Sequence, residues 1–367
     1  MKIERLEIRH IRLPLLRPFE TSFGIEAHRS SLLVRLFAEG VEGWGEAPVA
    51  EFPGYGPETT TTAWHVTVEF LAPQVVGHEF DSGAELQAAL APVRGHSFAK
   101  SALEAAFLDA LGRARGLSVS RLLGGTRERV PVGVSLGVEP RVEDLIARAE
   151  PFVAKGYRRL KIKIKPGWDR APAEAMRRRF PGTALMVDAN SAYSMDDLAL
   201  FESLDPLGLL MIEQPFGHED LVDHAHLQAR LRTPVCLDES AASIAAVRAA
   251  IRLRAGRIVN IKMGRVGGPT PAVRVHDLCR EAGIAVWCGG MLETGIGRAH
   301  NVALASLPHF TLPADLSESA RYFAEDIIEP PFTVDSDGSV AVPTGPGIGV
   351  AVRLDLVERV TTRVQEL

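Results

Sequence analysis

From about residue 130 onward, short apolar runs alternate with amphipathic stretches. The runs are VPVGVSLG (130–137), RLKIKIK (159–165), ALMVDAN (184–190), GLLMIEQP (208–215), TPVCLDES (233–240), RIVNIKMG (257–264) and GIAVWCGG (283–290). Between them lie helix-patterned segments such as SIAAVRAAIRLRAG and PAVRVHDLCREAG, each closing on a glycine as helices often do. This alternation predicts βαβ units and a parallel sheet. PHFTLPAD (308–315) offers an eighth run, and after residue 320 the rhythm breaks into DSDGSVAVPTGPGIGV, a strand-and-turn texture. Residues 1–125 read as mixed α and β. SSLLVRLFAEG and VEGWGEAP predict two strands joined by a glycine-containing turn, and residues 57–77 predict a helix. SFAKSALEAAFLDALGRARG predicts a stronger one, with Ser97 as N-cap and Gly116 just past its end.

The polar residues at the run ends keep step. Lys163 to Asp188, Asp188 to Glu213 and Glu213 to Asp238 are each 25 apart, and Asp238 to Lys262 is 24. A repeat of roughly 25–30 residues is what an eightfold (β/α) barrel of ~250 residues requires. Each polar group then stands at the C-terminal end of its strand, where such barrels carry their sites. An open doubly wound sheet is the second candidate, but no G-x-G-x-x-G follows the first strand.

Three consecutive units thus end in carboxylates: Asp188, Glu213 and Asp238. One such acid alone more often caps the next helix or pairs with a base. Three at equal spacing converge in a closed barrel and repel one another unless something positive sits among them. Hard carboxylate oxygens around a small cation suit Mg²⁺, and Mn²⁺ or Co²⁺ could substitute. In RRLKIKIKPG, the cations Arg159, Lys161, Lys163 and Lys165 alternate with Leu160, Ile162 and Ile164. Residues two apart share a face of a strand, so the lysines point at the acids. Lys262 faces the same point from the opposite side. A lysine there, near a divalent cation, is expected to have its pKa lowered toward about 7–8 and to act as a general base. Lys165 is expected in an ordinary ion pair at or beyond the strand end.

Composition narrows the partners. Apolar residues make up 46% of the 367 and charged residues 24%, enough for a large core. With 41 basic and 46 acidic residues and no long basic run, nucleic-acid binding gains no support. The three cysteines, with no C-x-x-C, suggest a reducing compartment without a disulfide framework. The N-terminus lacks a signal-peptide core and no 18-residue apolar stretch occurs, so a cytoplasmic protein with no membrane partner is expected. His224 and His226 are two apart on a probable helix and face differently, and no zinc motif appears. Cys288, at a strand end, reads as a buried structural thiol.

KIK (161–163), DAN, EQP, LDES and NIK together resemble the enolase superfamily in its muconate-lactonising branch. KIKPGWD, NIKMGRVGG, CGGMLETGIGRAHN, ALASLPHFTLPAD and VPTGPGIGV resemble, more narrowly, the o-succinylbenzoate synthase/N-succinylamino acid racemase family. The resemblance spans nearly the whole chain. It implies a modified (β/α)8 barrel at 126–319 and an α+β capping domain formed by 1–125 and the returning segment 320–367. It implies Asp188, Glu213 and Asp238 as metal ligands, with Asn190 and Glu239 orienting them. Lys163 and Lys262 would be the acid/base pair and Lys161 would neutralise an enediolate. Ser135, Gly290, Met291 and Leu292 would line the substrate cavity. Loops at 19–23 and 51–55, including Phe19, Phe23 and Tyr55, would close over a small carboxylate substrate, with Phe323 beside them.

The implied reaction is abstraction of the proton α to a carboxylate, giving racemisation of N-succinyl or other N-acylamino acids and dehydration to o-succinylbenzoate, a step of menaquinone biosynthesis. A homo-oligomer is expected. Two positions depart from the family pattern: Lys165, where an acid is common, and Met263, where proline is common. Arg265 in NIKMGRVGG marks the members that racemise, and a fixed cation there would lower the pKa of Lys262; the alternative is a surface arginine. Other readings stay open. A dipeptide epimerase would use Glu293 to hold a free amine, and a muconate cycloisomerase shares the same machinery. A catalytically silent metal-bound binding protein would have lost a lysine or a carboxylate, and none is missing.

Overall fold

The cap begins with an antiparallel sheet. In this computed structural model, which describes residues 1–22 and 24–367, Arg5–Thr21 (β1) pairs with Gly24–Ala38 (β2), and Val41–Ala47 (β3) follows. Glu39 and Gly40 make the predicted turn with φ of 50° and 79°, matching a hairpin's twist. Phe23, expected over the substrate, lies outside the described residues. The alternation in β3 sorts its faces. Gly43 and Gly45 lie against helix Ser97–Arg115 (α1), where a Cβ on Gly45 would stand 2.0 Å from Ala102 O. Trp44 and Glu46 point the other way, toward the barrel side.

Gly116 ends α1 in the left-handed conformation, as expected, but Ser97 is not its N-cap. His96 occupies that position with φ 52° and offers no side-chain bond. The cap comes from Glu58, whose carboxylate accepts from Phe98 N at 2.9 Å and Ala99 N at 3.2 Å.

Seven strands form the barrel: Val134–Leu136 (β4), Arg159–Lys163 (β5), Ala184–Asp188 (β6), Ile212–Glu213 (β7), Val235–Leu237 (β8), Ile258–Ile261 (β9) and Ala285–Cys288 (β10). Every neighbouring pair is parallel and their spatial order is their chain order, without the reversal of a doubly wound sheet. The run 308–315 holds the two edges together through single parallel bridges, Phe310 to Val286 and Ala314 to Val132. It is no full strand because Pro308 and Pro313 interrupt its ladder donors. The first predicted run is divided: Arg129–Pro131 pairs antiparallel with Ser339–Ala341 before β4 begins. The helix from SIAAVRAAIRLRAG ends at Leu253, and Arg254 takes the left-handed position (φ 56°) expected further on, at the glycine.

Beyond the barrel, Thr361–Glu366 (β11) pairs antiparallel with β1, so the cap sheet runs β11–β1–β2–β3. One apolar core fills the space between barrel and helices, and another lies between the cap sheet and α1. A third cluster, Met186, Met211, Cys236, Ile258 and Trp287, packs the barrel floor. Its Met186, Met211 and Cys236 stand two positions before Asp188, Glu213 and Asp238, on the same inward face. The floor is apolar apart from Arg159, whose guanidinium lies against Met186 and over the Trp287 ring, and the layer above it is ionic. Among the described residues no helix is long and apolar enough to cross a membrane.

Candidate active site

Register sets the ionic layer. Lys163 pairs with Asp188 across β5–β6, and Asp188 with Glu213 across β6–β7. Asp238 and Lys262 directly follow β8 and β9. With the run 308–315 counted as an eighth place, β5 and β9 stand four places apart in the ring, on opposite sides.

The contacts are dense. Lys163 Nζ donates to Asp188 Oδ2 at 2.7 Å and Asn190 Oδ1 at 2.5 Å. Lys161 Nζ stands 3.2 Å from Asp188, 3.1 Å from Glu213 and 2.8 Å from Asp315. Lys262 Nζ donates to Asp238 Oδ2 at 2.8 Å, while Arg265 donates to the other oxygen, Oδ1. Asn190 Nδ2 donates to Glu239 Oε1 at 3.0 Å, and Asn260 Nδ2 to Glu213 Oε1 at 2.7 Å. Arg159, fully buried, pairs with Asp315 at 2.6 Å. Lys165 lies beyond β5, paired with Glu20 of the cap at 2.8 Å, as expected of a rim residue. Arg265 is 5% exposed, which rules out a surface arginine.

Burial and charge act against each other here. Desolvation pushes Glu213 up to about 8, and Asp188 beside it adds to the rise. Glu239 is likewise pushed up to about 8 by burial, then by Asp238 and Asp188. For Asp188 burial pushes up, but Lys163 and Lys161 outweigh it and hold the carboxyl below its usual range. Asp238 is also lowered: Lys262 and Arg265 overcome its burial. Lys262 departs from expectation. Burial pulls its ammonium down, but Asp238, Tyr55 and Glu239 raise it above the ordinary lysine value. Arg265 opposes that rise only in part.

Among the described residues no three His, Cys, Asp or Glu side chains form a ready metal cage, because the lysine ammoniums stand between the acids. The donor set still fits a hard cation. Its oxygens are buried carboxylates, Glu213 is driven toward protonation by burial and then by Asp188, and Glu239 Oε2 is buried with no hydrogen-bond partner.

A cavity of about 340 Å³ opens above this layer. Lys161, Lys163, Asn190 and Lys262 line its base; Ser135, Gly290, Met291, Leu292, Phe19 and Tyr55 line its walls. Phe323 does not. It is 2% exposed within the apolar core, and its neighbour Tyr322 faces the cavity instead. Tyr55 does more than form a wall. Its hydroxyl donates to Asp238 Oδ1 at 3.1 Å and accepts from Arg265 at 3.0 Å, and its ring covers the Lys262 ammonium 4.3 Å from the centroid.

The sequence reading missed three contributors. Asp315 neutralises Arg159 and Lys161; it ends the eighth run, 53 residues past Lys262, about two more steps of the same repeat. Asn260 supports Glu213 from β9, two residues before Lys262. Gln214, in EQP, accepts from Asp238 N at 2.9 Å and donates to Ser240 at 2.6 Å, fixing the Asp238 backbone. The strand ends are also strained: Asn190, Ser191, Gln214 and Leu292 all have positive φ, a feature that gathers at functional sites. The three cysteines are free and buried, as expected, and His224 is buried while His226 is exposed.

Residues 144–356 match the Enolase C-terminal domain-like family, and residues 5–124 match the Mandelate racemase / muconate lactonizing enzyme N-terminal domain. The chain belongs to the enolase superfamily. An N-succinylamino acid racemase of Thermus thermophilus is 49% identical over 361 residues, covering 98% of both chains. An o-succinylbenzoate synthase of Bacillus subtilis is 44% identical over 365 residues, covering 99% of this chain and 98% of that one. A crystal structure of an enolase-superfamily member from Listeria innocua has a TM-score of 0.96 at 40% identity, covering 100% of this chain and 99% of that one. The superfamily member described here is thus an enzyme, and the family and barrel class expected from its motifs are both borne out.

Proposed function

We propose that this enzyme removes the proton α to a substrate carboxylate, racemising N-succinylamino acids and dehydrating the precursor of o-succinylbenzoate. One observation carries the reading: two lysines, each bonded to a buried carboxylate, face one cavity from opposite strands of the ring. Asp188, Glu213 and Asp238 would hold Mg²⁺, which supplies a Lewis-acid centre for the substrate carboxylate. Lys163 takes the α-proton from one face of the substrate. Lys161, beside the same acids, stabilises the negative charge that develops on the carboxylate oxygens. Lys262 delivers a proton to the other face, which inverts the centre; the reverse order serves the other enantiomer. In dehydration Lys163 gives the proton it took to the departing β-hydroxyl, which leaves as water, and Lys262 serves as a fixed cation. Asp238, once engaged by a divalent ion, holds the Lys262 proton less tightly, and Arg265 then favours the neutral amine.

If Glu213 and Glu239 were ionised, the buried acids Asp188, Glu213, Asp238 and Glu239, with the nearly buried Asp315, would balance Arg159, Lys161, Lys163, Lys262 and Arg265. A divalent cation held by these acids would then leave the cluster net positive, which favours an anionic substrate. The dipeptide epimerase reading loses its support at Glu293. That carboxylate already accepts from Met291 N and Asn301 Nδ2, both at 2.8 Å, and is committed to its own turn. Purified protein with Mg²⁺ should turn over N-succinylphenylalanine and the o-succinylbenzoate precursor and leave L-Ala-Glu untouched. Turnover of L-Ala-Glu alone would replace the proposal with an epimerase; turnover of none would leave a silent binding protein.

A further inference from the structure

The motif CGGMLETGIGRAHN contains two features that the chemistry above does not use: a left-handed leucine and a helix whose cap comes from the other domain. Leu292 has φ 57°, a conformation that costs a non-glycine residue free energy and needs support from its surroundings. Helix Gly295–Ala305 begins three residues later, and Thr294 at its N-cap makes no side-chain bond to the helix. The Thr294 hydroxyl instead donates to Glu46 Oε2 at 2.6 Å. Glu46 also accepts from Thr294 N at 3.2 Å and from Gly297 N at 3.0 Å. These are backbone donors that a helix start leaves without partners. Ser31 on β2 fixes the carboxylate from behind, at 2.8 Å.

Glu46 belongs to β3 of the cap and is only 4% exposed. Its socket is carved for it. A Cβ on Gly297 would lie 2.8 Å from Glu46 Oε2 and 2.9 Å from the Glu293 side chain, too close for either to remain. Two of the cavity-lining residues, Met291 and Leu292, immediately precede this clamp.

We infer that Glu46 is a cross-domain positioning residue: by capping helix Gly295–Ala305 from the cap, it holds the substrate-lining turn Gly290–Leu292 in its strained, binding-competent shape. This rests on the proposed N-succinylamino acid substrate only for its kinetic test. Glu46 touches no reacting atom, so its loss should act on binding more than on chemistry. An amide of the same size keeps the volume but turns one acceptor into a donor facing Thr294 N or Gly297 N, so Glu46→Gln breaks the clamp without opening a cavity.

The test is Glu46→Gln, alone and combined with Leu292→Gly, assayed with Mg²⁺ and N-succinylphenylalanine. Glu46→Gln should raise KM about tenfold, within the range for releasing one left-handed residue, and change kcat less than about threefold. In the Leu292→Gly background, where glycine adopts positive φ without strain, the same substitution should change KM less than about twofold. Equal KM effects in both backgrounds, or a loss confined to kcat, would overturn the inference. Backbone hydrogen exchange supplies a readout that needs no substrate: Glu46→Gln should speed exchange across 290–297 and leave β5 to β9 unchanged. Unaltered exchange at 290–297 would overturn the inference even if the protein acts on some other substrate, and wild-type inactivity on N-succinylphenylalanine would count against the proposed function alone.

Discussion

Lys163 and Lys262 serve one cavity from opposite strands, and their surroundings differ. Lys163 is held entirely by the barrel, between Asp188 and Asn190. Lys262 leans on Asp238 alone, shares that acid with Arg265, and lies under the ring of Tyr55, which comes from the cap. One proposed base is therefore part of the scaffold, and the other is finished only when the cap is in place. The two faces of an enediolate would meet unequal partners, so conditions that loosen the cap should affect one direction of proton delivery first.

The largest effects should come from the lysines themselves. Lys163→Ala and Lys262→Ala should each cut racemisation by at least about 10³-fold, within the range for losing a positioned acid or base. In D₂O each variant should still exchange the α-hydrogen of one enantiomer, and the two should preserve opposite enantiomers. Loss of exchange on both enantiomers in both variants would mean that the two lysines do not act on separate faces.

Metal dependence comes next. Activity should vanish on chelation, and Asp238→Asn should weaken Mg²⁺ binding by more than the ~10–100-fold typical of a supporting residue. Turnover that persists in excess chelator, with no metal by elemental analysis, would remove Asp188, Glu213 and Asp238 as ligands. Glu213 must ionise to serve as a ligand and is held up to about 8. Affinity for Mg²⁺ should therefore climb roughly tenfold per pH unit below that value and level off above it, with proton release measurable by calorimetry in buffers of different ionisation enthalpy. The sign for the metal-free fold is opposite. Between the ordinary 4.5 and about 8 the folded state keeps a proton that the unfolded chain has lost, so stability falls as pH rises through that window. Affinity that stays flat from pH 6.5 to 8.5 would show that Glu213 is already ionised.

Arg265→Gln should separate the two bases more finely. It returns Asp238 wholly to Lys262 and removes a nearby cation, so the ammonium should be harder to deprotonate. Exchange on the Lys262 face should fall about tenfold more than on the Lys163 face, roughly one pKa unit, and dehydration should suffer less. Equal losses in all three would reduce Arg265 to a packing role. Tyr55→Phe should show the smallest effect, about threefold and again confined to the Lys262 face, as befits one hydroxyl lost from a charged network. An equal effect on both faces would erase the contrast between scaffolded and cap-dependent bases.

Much of this was legible along the chain because a barrel strand repeats its geometry. Lys163, Asp188, Glu213, Asp238 and Lys262 kept a step of 24 or 25 residues, and the ring puts equal steps at equal heights. Asp315 kept the step only loosely, 53 residues past Lys262 for two units, and its run is broken by prolines and lacks the apolar texture of a strand. Tyr55 stands 183 residues from Asp238, and no periodicity links a cap loop to a barrel strand. Tyr322 and Phe323 are adjacent aromatics in an irregular segment, where no alternation rule says which one faces the cavity. Ser97 looked like a helix cap because it is a good one locally, and the distant carboxylate of Glu58 took the role instead. The raised Lys262 has a similar origin: the sequence showed the cations nearby but not how closely Asp238 would bind them.

The ring of strands has a seam. On either side of the run 308–315 a single bridge stands where the other neighbours share a ladder, so the wall is thinnest there. Just above that seam, Asp315 reaches back to Arg159 and Lys161 on β5, past β4. A rivet made of charge thus fastens the part of the cylinder that backbone hydrogen bonds fasten least. Durability and reactivity share a fitting at this point, since Lys161 is also the cation proposed to stabilise the reacting carboxylate. Attempts to toughen the barrel by greasing its interior would pull the rivet, whereas reinforcement from the outside, across Phe310 and Val286, would leave the chemistry untouched.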